Sequence, residues 1–166
     1  MLDKIARAEL ASALFVLGIG TNHIRASLHE RVLQVHPSAV FPPILHSTAW
    51  VSPSAIIGAG TVLLAHASAG HKACMGAGSL INTGGSLDHD SILGDYGSLG
   101  PGARTGGNVA VGARTMVGLQ AGILHGRSVG DDTVIGAQSL VREDIPSLCV
   151  AYGSPCRVVR ERQRDD

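Results

Sequence analysis

The sequence predicts an all-β-dominated fold: a left-handed parallel β-helix of hexapeptide repeats, preceded by a short, truncated α/β segment. Three observations predict it. From Val51 to Val141 every sixth residue is apolar except Thr105, in the series Val51, Ile57, Leu63, Ala69, Met75, Ile81, Leu87, Leu93, Leu99, Thr105, Val111, Val117, Ile123, Val129, Ile135, Val141. Ten of these 16 positions are followed by Gly, and Asn82 and Asp88 fill two of the other slots. Four residues after each marker the side chain is almost always small, as at Ala55, Thr61, Ala67, Ala73, Ser79, Gly85, Ser91, Gly97 and Ala103. Neither a helical nor an alternating-strand period produces this spacing. A coil that turns every six residues does, with aliphatics stacked inside, small residues in the tight corner, and Gly, Asn or Asp accepting positive φ at the turn. Three hexads close one triangular coil, and the familiar winding is left-handed, against the usual crossover rule.

The chain reads in three parts. Residues 1–36 form a partial α/β segment, half of a doubly wound substrate domain: a short helix over 3–11, a buried strand from Ala13 to Leu17, the Gly18-Ile-Gly20 turn, and a helix from about Thr21 to Val35. Thr21 or Asn22 is its expected N-cap, and Ile24, Leu28, Val32 and Val35 its expected buried stripe. Residues 37–150 form the β-helix, beginning irregularly near Pro37 and running five full coils to Val141. At the strand spacing of a sheet the prism is on the order of 25 Å tall. Asp144-Ile-Pro146 ends the repeat and Cys149 to Ala151 is a last strand. Residues 151–166 are a C-terminal cap that folds back over the final coil. Arg127 stands where the column is otherwise small, Val109 excepted, so either the coil bulges there or Arg127 reaches a carboxylate.

Composition narrows the function. Lys plus Arg equals Asp plus Glu at 13 each, so no global basic field points to nucleic acid. No segment is long enough to span a membrane. The apolar stretch from Leu10 to Gly20 is not expected to be a signal peptide, because Asp3 and Glu9 interrupt its front and no small-x-small cleavage site follows. The three cysteines, Cys74, Cys149 and Cys156, lack metal-ligand spacing and fit a cytoplasmic setting; Cys74 and Cys156 read as small buried fillers.

A core filled by its own side chains leaves only the outer walls for chemistry. His89 and Asp90 lie off the inward positions. An imidazole beside a carboxylate is what a general base requires: neutral near pH 7, oriented, and stabilised once it takes a proton. His71, His89 and His125 lie 18 and 36 residues apart and share one column, with Gly107 between the last two.

The run Ile-Asn-Thr-Gly-Gly-Ser-Leu-Asp-His-Asp-x-Ile-Leu-Gly-Asp over 81–95, with Gly-Pro-Gly-Ala, Gly-Gly-Asn-Val and Gly-Ser-Pro-Cys-Arg further on, resembles the bacterial hexapeptide acetyltransferases that modify nucleotide-linked amino sugars. The sialic-acid O-acetyltransferases are similar. The resemblance covers about residues 13–160 and implies a homotrimer that uses acetyl-CoA to N-acetylate an amino sugar by direct transfer. His89 matches the family's base, and Asp90 the acid that raises its basicity. Cofactor contacts map to Ser98, Leu119 and Ala137, largely through backbone. Gly107 is a further expected contact, through a backbone N–H of the neighbouring subunit that meets the oxyanion. Asn82, His71 and His125 are the candidates for contact with the acceptor. The family often has His where Ser98 stands, and its first strand and glycine-rich loop have no counterpart in this sequence, so a weak hold on the nucleotide is expected. Acetylation of a sugar hydroxyl, or a non-catalytic trimeric scaffold, are the alternatives. No metal is expected: the hexapeptide carbonic anhydrases use His, His 36 later and His five further on, whereas position 130 is Gly and the residue 36 before His66 is Glu30.

Overall fold

The computed structural model describes residues 13–163. Its repeat consists of two-residue strands, each ending on a marker and pairing in parallel with the strand 18 residues further on, as Leu63 with Ile81 and Met75 with Leu93. The strands make three sheets of eight, six and five strands, the faces of a left-handed prism. The first sheet runs from Ile44–Leu45 and ends in Cys149–Tyr152 and Arg157–Glu161; the second runs from Trp50–Val51 to Leu140–Val141, and the third from Ile56–Ile57 to Ser128–Val129.

The inward columns are the expected ones. Leu63, Ile81, Leu99, Val117 and Ile135 are fully buried in one column, and Met75, Leu93, Val111 and Val129 in the next. Only Val51 and Ile57, in the first coil, remain half-buried. Thr105, the polar marker, is buried and its Oγ1 accepts the Asp88 N–H at 2.9 Å. Two small corner residues satisfy their hydroxyls on backbone: Thr61 Oγ1 donates to Gly58 O at 2.7 Å, and Thr115 Oγ1 to Gly130 O at 2.6 Å, whereas the buried Ser79 Oγ has no partner. Arg127 keeps the coil in register and reaches Asp144 at 3.9 Å, so the carboxylate reading holds and the bulge does not.

The turn chemistry differs from the expectation. Positive φ falls on the third residue after the marker, where His66, Lys72, Asp90, Arg114 and Gln120 adopt it as well as Gly60 and Gly78. The glycine directly after the marker serves a different need. At Gly94 an added Cβ would stand 2.6 Å from the Ala113 backbone nitrogen, so successive coils touch there through bare backbone. Stacking distance, not φ, selects that glycine.

The front segment also departs from the sequence reading. Ala13 to Leu17 is not a buried strand: it makes one parallel bridge, Leu14 to Val40, and Leu14 and Val16 are exposed, because no sheet flanks it among the described residues. The helix α1 spans Asn22–Val35, and Thr21 holds the N-cap position without a side-chain bond. Of the expected stripe only Val32 is buried; Ile24 and Val35 are exposed. The buried face is instead Asn22, Arg25, Ala26 and Val32, because α1 docks on a polar corner of the prism. The expected helix over 3–11 lies outside the described residues. At the other end, Cys149–Tyr152 continues the first sheet and Arg157–Glu161 folds back antiparallel to it, with Cys156 buried beneath the turn. Cys74 is half-buried on the outward side of the third sheet and is not a core filler. Among the described residues no helix is long and apolar enough to cross a membrane.

Candidate active site

Each coil turns three corners, and the residues singled out by sequence divide between two of them. The corner between the second and third sheets carries the histidine column. Asp90 takes φ 55°, which turns its side chain outward beside His89. His89 Nδ1 lies 2.9 Å from Asp90 Oδ2, with the two side chains 47% and 41% exposed. That bond, with the nearby Asp88 carboxylate, raises the His89 pKa above its ordinary value, and the imidazole holds Asp90 below its own. One coil on, Gly107 leaves room for the ring: a Cβ there would stand 2.3 Å from His89 Nε2. The ring centroid of His125 is 6.2 Å from that of His89 across this gap. His71, one coil before, is turned to Ser54 Oγ at 2.7 Å. Among the described residues no three His, Cys, Asp or Glu side chains converge closely enough to hold a metal ion.

The corner between the first and second sheets carries Asn82, Leu119 and Ala137, and Ser98 lies beside it on a strand of the first sheet. A cleft of about 210 Å³ is lined there by Gly20, Asn82, Ser98, Pro101 and Leu119. It meets a second cleft, of about 300 Å³, under Gly18, Ile19 and Gly20. Among the described residues the backbone N–H groups of Leu119, Ala137 and Gly107 have no intramolecular acceptor, and an extended polar ligand could use them. Ser98 is buried in the cleft wall. Gly107 does not join this corner; it belongs under His89. The two corners flank the second sheet, whose outward residues include Ser68, Ser86 and Gly122.

Sequence reasoning missed three residues. Asp88 accepts the His89 backbone N–H at 2.7 Å and adds negative charge beside the ring; its place next to His89 was the available signal. Asn22 and Arg25 hold the front segment on the prism, and a polar residue at helical spacing gives no sign of burial.

Fold and site together define a hexapeptide β-helix that carries a carboxylate-oriented imidazole on one corner and an open cleft on the next. PerB from Caulobacter crescentus, solved with CoA and GDP-perosamine, is 32% identical over 87% of this chain and 69% of its own, with a TM-score of 0.84. The acetyltransferase domain of PglB from Neisseria gonorrhoeae FA1090, solved with acetyl coenzyme A, is 29% identical over 91% of this chain and 76% of its own, TM-score 0.84. The chain belongs to the hexapeptide-repeat sugar N-acetyltransferase family. Galactoside O-acetyltransferase of Escherichia coli (strain K12) is 45% identical over 53 residues, 32% of this chain and 26% of its own. The chain spans about a third of the length of the curated Staphylococcus aureus relatives it matches, 39% identical over 64 residues and 32% of their length. No family model matches the sequence.

Proposed function

We propose that this protein transfers an acetyl group from acetyl-CoA to the amine of a nucleotide-linked amino sugar, with His89 as general base. The carrying observation is the His89–Asp90 pair, exposed and oriented, on the fold of proteins solved with CoA and GDP-perosamine. The acceptor amine, once neutral, attacks the thioester carbonyl as His89 Nε2 takes its proton. Asp90 stabilises the imidazolium through Nδ1. A backbone N–H near Gly107 meets the oxyanion. The carbon–sulfur bond then breaks, the acetyl group stays on nitrogen as an amide, and the proton on His89 passes to the departing thiolate. No side chain need carry the acetyl group.

The working assembly in this reading is a homotrimer. A cyclic trimer sets the His89 corner of one copy beside the Asn82, Ser98, Leu119 and Ala137 cleft of the next, and the separation of the two corners within one chain supports that arrangement. Acetyl-CoA lies between copies, with His71 and His125 toward the acceptor. His89→Ala should lower kcat by roughly 10²–10⁴-fold, the usual share of a positioned general base, with acetyl-CoA binding retained by calorimetry. Full activity in that variant would refute the assignment. O-acetylation is the second reading, favoured by the similarity to galactoside O-acetyltransferase; transfer to a free sugar hydroxyl, with no transfer to GDP-perosamine, would establish it instead.

A further inference from the structure

We propose that Arg25 is a positioning residue for the acceptor: with Asn22 it fastens the Gly18–Gly20 turn to the prism, so that the turn walls the cleft of about 300 Å³ that Asn82 completes, beside the Ser98 and Leu119 cleft assigned to acetyl-CoA. The proposal rests on the acetyl-transfer reading above.

Arg25 is 2% exposed and has no carboxylate partner among its hydrogen bonds. Its guanidinium donates instead to five oxygens. Nε reaches Gly78 O at 2.7 Å, and Nη2 reaches Tyr96 O at 2.8 Å and Asn22 Oδ1 at 2.9 Å. Nη1 reaches Ile19 O at 2.9 Å and Gly20 O at 3.0 Å. Asn22 Nδ2 in turn donates to Arg114 O at 3.2 Å and Thr115 O at 3.1 Å. Gly78, Tyr96 and Arg114 are successive residues of one corner column, each with positive φ. Their carbonyls take no part in the backbone ladder between coils. Two side chains of α1 thus read a rail of three outward carbonyls, and the same guanidinium holds the two carbonyls of the turn.

The consequence falls on the clefts. Gly18, Ile19, Arg25 and Asn82 line one of them, and Gly20 and Asn82 line both. A buried guanidinium serving five carbonyl-type acceptors, two of the bonds fully buried and three partly, is structurally expensive: a bond lost there leaves desolvated groups unpaired. An apolar stripe would dock a helix as firmly. The fork differs in fixing the turn and the prism to one rigid group. The prism itself closes through its own ladder, so releasing the turn should leave the coils intact.

The test is steady-state kinetics of the full chain with acetyl-CoA and GDP-perosamine, for the parent, Arg25→Gln, Arg25→Lys and Asn22→Ala, with amide hydrogen exchange on each. Arg25→Gln should raise the KM for GDP-perosamine about tenfold or more, with kcat and the KM for acetyl-CoA changed less than about threefold. Arg25→Lys should recover part of the loss, and Asn22→Ala should show a smaller shift of the same kind. Exchange should quicken over residues 17–22 and stay slow over 80–99. Unchanged acceptor KM in Arg25→Gln, or an equal loss in both KM values and kcat, overturns the proposal while the functional reading stands. A parent that acetylates neither GDP-perosamine nor a free amino sugar overturns the reading and the acceptor role together. Unaltered exchange over 17–22 overturns the clamp independently of any activity.

Discussion

Two adjacent glycines carry opposite obligations. A Cβ at Gly106 would lie 2.7 Å from the His125 backbone nitrogen, whereas the nearest atoms to one at Gly107 belong to the ring of His89, a side chain that can swing away. Gly106→Ala should therefore lower the melting temperature markedly. Gly107→Ala should leave it almost unchanged yet reduce kcat by up to about 100-fold, because a catalytic group displaced by an ångström loses its alignment. Equal thermal losses in both variants would mean that Gly107 serves the coil and not the ring. The His89–Asp90 bond also sets a pH dependence. The base acts when neutral and its pKa is raised, so kcat/KM should climb with pH through a limb displaced upward from the ordinary histidine value. Asp90→Asn removes the largest cause of that shift and should move the limb to lower pH while lowering kcat. A limb that stays in place would assign the titration to another group.

At the level of the element, each side of a coil has one inward marker, most of them large aliphatics, so truncating one opens a cavity that the stacked ladder cannot collapse into. Leu93 is fully buried between Met75 and Val111, and Leu93→Ala should cost about 2–5 kcal/mol in chemical denaturation. A loss below that range would mean the column relaxes. The helix α1 obeys a different logic. Of its expected stripe of Ile24, Leu28, Val32 and Val35 only Val32 is buried, because the stripe argument presumes an apolar landing surface. The actual surface is a corner of carbonyls, and Asn22 and Arg25 match it. His29 on the same helix packs edge-on to Phe41 and hydrogen-bonds Tyr96, and burial lowers its pKa.

At the scale of the whole molecule, exposed apolar residues occur on all three sheets, and on the third, beside the His89 corner, Ile56 and Ile92 are 65% and 51% exposed. Such a face suits contact between copies. Light scattering at micromolar concentration should return three times the monomer mass, and Ile92→Glu should reduce it. A monomeric parent would dissolve the shared-site proposal. A complementary test mixes two inactive chains, His89→Ala and Ala137→Trp, by co-refolding. Activity should return in mixed trimers, because an intact His89 can then face an intact cleft on another copy. Mixtures that stay inactive would show that each site is built within one chain.

The hexad period determined the solenoid, its three inward columns and the outward place of His89 and Asp90, because each hexad has room inside for one marker residue and one small corner residue and no more. Tertiary structure alone decided which glycines carry φ and which carry coil contact, since only the stacking of coils 18 residues apart brings Gly94 onto Ala113. It alone revealed that Gly107 houses the His89 ring, and that Arg25 is buried. A polar side chain at helical spacing is silent in sequence until the carbonyls it will meet, 53 and 71 residues away, have been brought to it by the fold.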